Sequence, residues 1–206
     1  MKGSQEFWDK SAPRYAKRPV RDEQTYQQKL AITREYLRPD CSLLEFGCGT
    51  GSTAIAHAPH VRQIIATDLS GKMLEIAADK AKLAGVANIH FQQGTLDGLD
   101  LAAASFDAVL GLNVLHLLDN PDAAIDRVYE LLKPDGVFIS STALVGDINL
   151  MWRWLIPVMQ FLGFAPYVSC FDKPALVAML IDAGFCIERE WQPGKESVFI
   201  VARKGG

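Results

Sequence analysis

Cysteine is scarce in this sequence and never paired. Cys41, Cys48, Cys170 and Cys186 are scattered with no Cys-x-x-Cys spacing, which argues against a zinc site and against a disulfide framework. No metal is expected. Runs of lysine or arginine are also missing, and the formal net charge is −3. The footprint of a nucleic-acid binder is therefore absent, and a small-molecule partner is favoured. The most apolar region, Leu150 to Phe164, is interrupted by Arg153, Pro157 and Gln160, so no membrane span is expected. The opening Met1-Lys2-Gly3-Ser4-Gln5-Glu6 is polar and leads into no apolar core with a cleavage site. No secretion signal is read there, and the expected location is cytoplasmic. Internal repeats and low-complexity segments are lacking too.

What is present is enough apolar material for one core. With 206 residues, 49% of them hydrophobic, the chain is expected to form a single domain over 1–206. A cap segment over 1–38 and an apolar insertion at about 143–170 are read as additions to it. The organising stretch is Leu43-Leu44-Glu45-Phe46-Gly47-Cys48-Gly49-Thr50-Gly51-Ser52. An apolar run ends in three alternate glycines and continues into Ala54-Ile55-Ala56, which reads as strand, tight turn and helix start. Glycine there permits positive φ and leaves no Cβ, so a ligand can lie against bare backbone at a helix N-terminus. Glu45 before the turn and Asp68 after the next strand strengthen that reading over a plain loop.

Along the chain, Phe7-Trp8-Asp9 to Arg18-Pro19 mixes aromatic and basic residues. Trp8 and Tyr15 are about two helical turns apart; they either fold over a pocket mouth or simply pack the N-terminus down. A covering helix is predicted from Glu23 to Leu37 and stopped by Pro39. Strands are predicted at Val61 to Thr67, Asn88 to Gln92, Phe106 to Leu112 and Val137 to Ser141. Ser70 caps a helix whose apolar face is Met73, Leu74, Ala77, Ala81 and Ala84. Asn120-Pro121 opens another, ending at Lys133-Pro134-Asp135-Gly136. A helix over Lys173 to Ala183 precedes two strands, Phe185 to Gln192 and Ser197 to Lys204, joined by Pro193-Gly194 as an antiparallel hairpin at the sheet edge. Strands alternating with helices predict a doubly wound α/β fold with a mostly parallel sheet. Ligands then bind beyond the carboxyl ends of the strands, where Gly47 to Gly51, Asp68, Gly94 to Leu96 and Asn113 to His116 collect.

The glycines run GxGxG, with Ser52 where the dinucleotide fingerprint GxGxxG has its third glycine, which disfavours a nicotinamide-dependent oxidoreductase. Instead, LLEFGCGTG, ATDLSGKML, FDAVLGLNVLHLL and LLKPDGVFISS, in this order, resemble the motifs of class I S-adenosylmethionine-dependent methyltransferases, in particular the quinone-methylating, small-molecule subgroup. The resemblance runs from Leu43 to Arg203 and implies a Rossmann-like seven-stranded sheet. It also implies roles: Gly47, Cys48, Gly49 and Gly51 at the amino acid end of the cofactor, with Tyr15 over them; Asp68 on the ribose hydroxyls; Leu69 and Met73 on the adenine face; Gly94, Thr95 and Leu96 at the adenine edge; Leu112 and Asn113 beside the sulfonium. Thr95 stands where many relatives carry an acid, and Asp97 is the candidate replacement. Strand four lacks the Asn-Pro-Pro-aromatic sequence of the family's amino-methylating DNA enzymes, which again points away from nucleic acid.

The implied reaction is methyl transfer to a small hydrophobic or aromatic molecule, in which positioning alone supplies several kcal/mol, about 7–11 in the best intramolecular cases. His116, at the mouth of the expected pocket, is the candidate general base, if one is used, because its pKa suits the task. The alternative for His116 is a wall residue. His57, His60 and His90 are read as structural or solvent-facing. The Trp, Met and Phe residues between Ala143 and Cys170 read as an apolar lid over the acceptor; burial against the sheet or a contact between two copies of the chain is the competing reading. A non-catalytic cofactor sensor or partner subunit stays open, because binding residues alone say nothing of turnover.

Overall fold

Adjacent apolar residues on the central strands point to opposite faces, and this decides the layering. In the computed structural model, which describes residues 2–144 and 167–205, the strands are β1 (Ser42–Phe46), β2 (Gln63–Asp68), β3 (Ile89–Gln93), β4 (Phe106–Leu112), β5 (Leu132–Ala143), β6 (Phe185–Gly194) and β7 (Ser197–Lys204). They form one sheet in the order β3-β2-β1-β4-β5-β7-β6. β1 to β5 pair in parallel, and β7 runs antiparallel between β5 and β6.

The helices are α1 (Lys2–Ala16), α2 (Glu23–Arg34), α3 (Ser52–His57), α4 (Gly71–Leu83), α5 (Pro121–Leu131) and α6 (Lys173–Asp182). Leu44, Val109, Phe138 and Ile200 bury one face of the sheet with Ile125 and Val128 of α5 and Leu176 and Leu180 of α6. Leu43, Ile64, Leu110, Ile139 and Phe199 bury the other with Ile32 of α2, Ala54 of α3 and Leu74 of α4. Strands covered on both faces have to be apolar on both, which is why β4 reads as a continuous hydrophobic run. β1 has β2 on one side and β4 on the other, so the crevice at their carboxyl ends is where the winding reverses and where ligands settle in such sheets.

Helix starts follow local chemistry. Asp22, Ser70, Asn120 and Asp172 accept backbone N–H bonds from Thr25, Met73, Ala123 and Ala175 at the first turns of α2, α4, α5 and α6, satisfying donors that have no partner in the helix. Three sequence readings change. The hairpin turns at Lys195-Glu196, and Pro193-Gly194, expected as the joint, lies inside β6. Ala84 is the C-terminal cap of α4 and is exposed, outside its apolar face. Pro134-Asp135-Gly136 does not precede β5 but forms an irregularity inside it: the pairing jumps between Phe106 and Ala108, and Asp135 has φ 61°. The N-terminal segment is a helix, α1, held on α4 by Asp9, whose carboxylate accepts from Ser70 Oγ at 2.6 Å and Lys72 N–H at 3.2 Å. The expected lid at about 143–170 falls almost wholly on 145–166, outside the described residues. Among the described residues no helix is long and apolar enough to cross a membrane, and no group of three or more His, Cys, Asp or Glu is placed to hold a metal ion.

Candidate functional site

Between β1 and α3 the backbone turns through three left-handed glycines, Gly47 (φ 64°), Gly49 (φ 53°) and Gly51 (φ 72°). Cys48 N–H donates to the Thr67 carbonyl of β2 at 2.9 Å, and Gly49 N–H donates to Asp68 Oδ2 at 2.8 Å. The loop is thus pinned to the end of the neighbouring strand. Ser70 N–H binds the other Asp68 oxygen at 2.9 Å. Each carboxylate oxygen keeps a free lone pair. Burial raises the Asp68 pKa, and the backbone N–H groups of Ser70 and Gly49 oppose that rise.

Two cavities meet at this loop. The first, about 290 Å³, is lined by Tyr15, Gly47, Gly49, Asp68, Leu69, Met73, Gly94, Thr95, Leu96, Asp97, Leu112 and Asn113, with Trp8 at its rim. Trp8 and Tyr15 stand edge to face with ring centres 6.3 Å apart. The second, about 940 Å³, lies on the other side of Gly47, Gly49, Leu112 and Asn113 and takes in Tyr26, Lys29, Glu45, Cys48 and Ser141. Asn113 holds its corner in a left-handed conformation (φ 57°) that asparagine tolerates better than most residues, with its N–H on the Ser141 carbonyl at 2.6 Å. Glu45 is 3% exposed, and its Oε2 has no hydrogen-bond partner. Burial, and then the charge of Asp68, push its pKa up to about 8, so at neutral pH it is mostly protonated.

With this geometry in place, similarity to known proteins becomes informative. The Methyltransferase domain family matches residues 43–136. Among individual relatives, the uncharacterized methyltransferase YcgJ of Bacillus subtilis is 33% identical over 123 residues, 58% of this chain and 49% of that protein. Demethylmenaquinone methyltransferase of Leptospira interrogans is 33% identical over 144 residues, 63% and 57% of the two chains. This chain therefore spans about half the length of the curated relatives it matches. The crystal structure of YcgJ superposes with a TM-score of 0.73 at 18% identity, over 87% of this chain and 99% of that one. The match to the methyltransferase domain family thus covers the glycine turn, Asp68 and the corner after β4.

The residues present fit the cofactor of that methyltransferase family. A Cβ built on Gly49 would meet nothing nearer than Tyr15 Cε1 at 3.9 Å, so the loop offers bare backbone to the first cavity, and Asp68 offers two acceptors beside it. The apolar Leu69, Met73 and Leu96 surround a space suited to a flat base. Thr95 and Asp97 both reach this cavity, and Thr95 Oγ1 accepts from Gly98 N–H at 3.2 Å.

Other expected positions fall differently in the methyltransferase fold. Gly51 lines neither cavity: a Cβ there would lie 2.8 Å from Ala77 Cβ, so it is a packing glycine that lets the loop press on α4. It takes the helix-packing part that the dinucleotide fingerprint gives to its third glycine, so Ser52 leaves no gap. Cys48 lines only the second cavity, and burial, with Glu45 and Asp68, raises its thiol pKa. His116, in the short 3-10 helix Leu115–Leu117, lines neither cavity. Its Nδ1 is buried without a partner, and burial lowers its pKa to about 4. It is not brought to the loop, because the turn after β4 points Val114 and Leu117 inward instead.

Sequence reasoning passed over Asp9 and Lys29, whose partners lie 61 and 112 residues away and leave no local pattern. It also took the Tyr-x-x-x-Lys pair that an oxidoreductase on a related sheet would need to be absent, whereas Tyr129 and Lys133 have that spacing. That pair has structural uses: Tyr129 packs on Phe185 with ring centres 5.1 Å apart under Lys204, and Lys133 binds Asp107 at 2.8 Å.

Proposed function

We propose that this chain transfers a methyl group from S-adenosylmethionine to a small acceptor of hydrophobic or aromatic character. The observation that carries the reading is the shared wall: Gly47, Gly49, Leu112 and Asn113 border both cavities, so a group held in the smaller one is presented to the larger one. In this reading Asp68 binds the ribose hydroxyls, Leu69, Met73 and Leu96 clasp the base, and Gly94, Thr95 and Asp97 meet its edge. Gly47 and Gly49 border the amino acid end, and Tyr15 covers it. The cofactor supplies a methyl group already activated by its positive sulfur. The chain's own work is then to orient the acceptor and exclude water. The quinone substrates named for relatives such as demethylmenaquinone methyltransferase support a hydrophobic acceptor.

A second reading has a specific basis. The [4+2]-cyclase SpnF shares this fold, with a TM-score of 0.74 at 20% identity over 88% of this chain, so the fold serves more than one kind of reaction and cofactor binding without transfer is its own hypothesis. Calorimetry with S-adenosylmethionine and S-adenosylhomocysteine tests binding, and methyl-labelled cofactor with a cell extract tests transfer. Binding with a labelled small product is the expected result. Binding with no labelled product would favour the non-catalytic reading, and no binding to the folded protein would overturn both.

A further inference from the structure

Lys29 projects from α2 into the sheet crevice, and its Nζ donates to Ser141 Oγ of β5 at 2.8 Å. Ser141 is fully buried and lies next to Asn113, its hydroxyl 3.5 Å from Asn113 Oδ1. The ammonium is half-buried, and among the described residues no carboxylate lies within ion-pair distance of it. Asp22, the acid whose charge raises its pKa, already caps α2 through Thr25 at 2.9 and 2.7 Å. Desolvation lowers the Lys29 pKa, the mark of a cation kept partly from water without full compensation. Of the three donors on the ammonium, one is used among the described residues.

The surroundings say where the missing partner sits. Lys29 and Ser141 line the larger cavity and not the smaller one. Lys80, another cation on this cavity, is already engaged with Thr50 and Ser52 hydroxyls. Arg18 and Arg21 add positive charge at the rim, with Asp22 and Glu196 also on the lining. Glu45, the buried acid of this cavity, is held mostly neutral at neutral pH and brings little opposing charge. A half-desolvated ammonium beside a hydroxyl, facing open space, fits a carboxylate by a charge-assisted bond.

We propose that Lys29 and Ser141 form the seat for a carboxylate of a ligand in the larger cavity, so that the methyl acceptor is an acid whose anionic group is held beside Asn113. The inference rests on the methyltransferase reading for the identity of that ligand as the acceptor. One other carboxylate has the same chemistry: that of the cofactor's amino acid end.

The test compares wild type with Lys29→Met by calorimetry, using four probes. S-adenosylhomocysteine carries the amino acid carboxylate, and 5′-methylthioadenosine lacks it. Benzoate and uncharged benzamide are titrated onto protein saturated with S-adenosylhomocysteine. For an acceptor seat, wild type binds benzoate at least tenfold more tightly than benzamide, Lys29→Met erases that preference, and S-adenosylhomocysteine affinity is unchanged. For a seat on the cofactor, Lys29→Met loses tenfold or more in S-adenosylhomocysteine affinity while 5′-methylthioadenosine is unaffected; this overturns the acceptor assignment. If neither the benzoate preference nor S-adenosylhomocysteine affinity depends on Lys29, the carboxylate seat itself is overturned. Binding of 5′-methylthioadenosine by the variant, with an unchanged melting temperature, shows that it is folded. Failure of both adenosine ligands to bind wild type would instead sink the cofactor reading, and the benzoate and benzamide titrations, run on the free protein, would still decide the seat.

Discussion

An alanine at Gly47 would put its methyl 2.6 Å from Val114 Cγ2 while keeping φ at 64°. A non-glycine residue in that region costs about 1–2 kcal/mol and overpacking about 1–3 kcal/mol more. Gly47→Ala is therefore expected to lower unfolding free energy by about 2–5 kcal/mol in urea titration. Gly49→Ala meets only Tyr15 at 3.9 Å, so it should cost less stability yet lose most of its affinity for S-adenosylhomocysteine, since its methyl enters the first cavity. The two glycines look alike in sequence and separate only by what stands opposite them. Asp68→Ala removes an acceptor of both Gly49 and Ser70 N–H and, in the proposed reading, of the ribose. Hydrogen bonds to a charged group contribute about 1.5–3 kcal/mol, so calorimetry should find roughly a 10- to 150-fold loss of cofactor affinity. Asp97→Ala measures whether that residue replaces the acid missing at Thr95: unchanged affinity would assign the adenine edge to backbone groups instead.

At the scale of elements, α1 has a side-chain anchor on the body in one carboxylate. Asp9 takes a bond from Ser70 Oγ and another from Lys72 N–H, and this docking sets Tyr15 over Gly49. Asp9→Ala is expected to speed hydrogen exchange and proteolysis across Lys2–Ala16 while leaving the sheet protected, and to weaken cofactor binding through Tyr15. If α1 stays protected, its apolar contacts rather than Asp9 hold it. α5 offers the contrast of a purely local start: Asn120 accepts from Ala123 N–H at 3.1 Å with Pro121 following. Loss of that cap by Asn120→Ala should cost about 1 kcal/mol, read as a lower melting temperature.

Across the whole molecule, buried titratable groups shape stability against pH. His57 is fully buried with neither ring nitrogen partnered, and burial, then Arg34 and His60, lowers its pKa to about 4; His116 is lowered to about 4 by burial. The unfolded chain binds these protons near pH 6.5 and the folded chain only near 4. The stability they confer is present above 6.5 and lost as pH falls toward 4. Glu45 works in the opposite direction. Its folded pKa is raised to about 8, so its contribution is full below about 4.5 and lost as pH rises through 8. Thermal melts should therefore peak near pH 6.5. Glu45→Gln should raise the melting temperature above pH 7, and His57→Gln should flatten the acid limb; a pH-independent melting temperature would contradict all three assignments.

Strand and helix order, the caps at Ser70 and Asn120, the glycine turn and Asp68 could all be read from the sequence, because each depends on local propensity or on a period-2 alternation that the chain carries itself. The antiparallel hairpin was legible from its two flanking strands, but not its turn, which is Lys195-Glu196, with Pro193-Gly194 at the end of β6. What required tertiary structure was which groups face each other across the crevice. Gly51 turned out to pack on Ala77, His116 turned away from both cavities, and Lys29 met Ser141 from 112 residues away. Sequence sets where the backbone can bend and which face of an element is apolar. Only the assembled sheet decides which side chains share a cavity, since that depends on distances between segments with no local relation to one another.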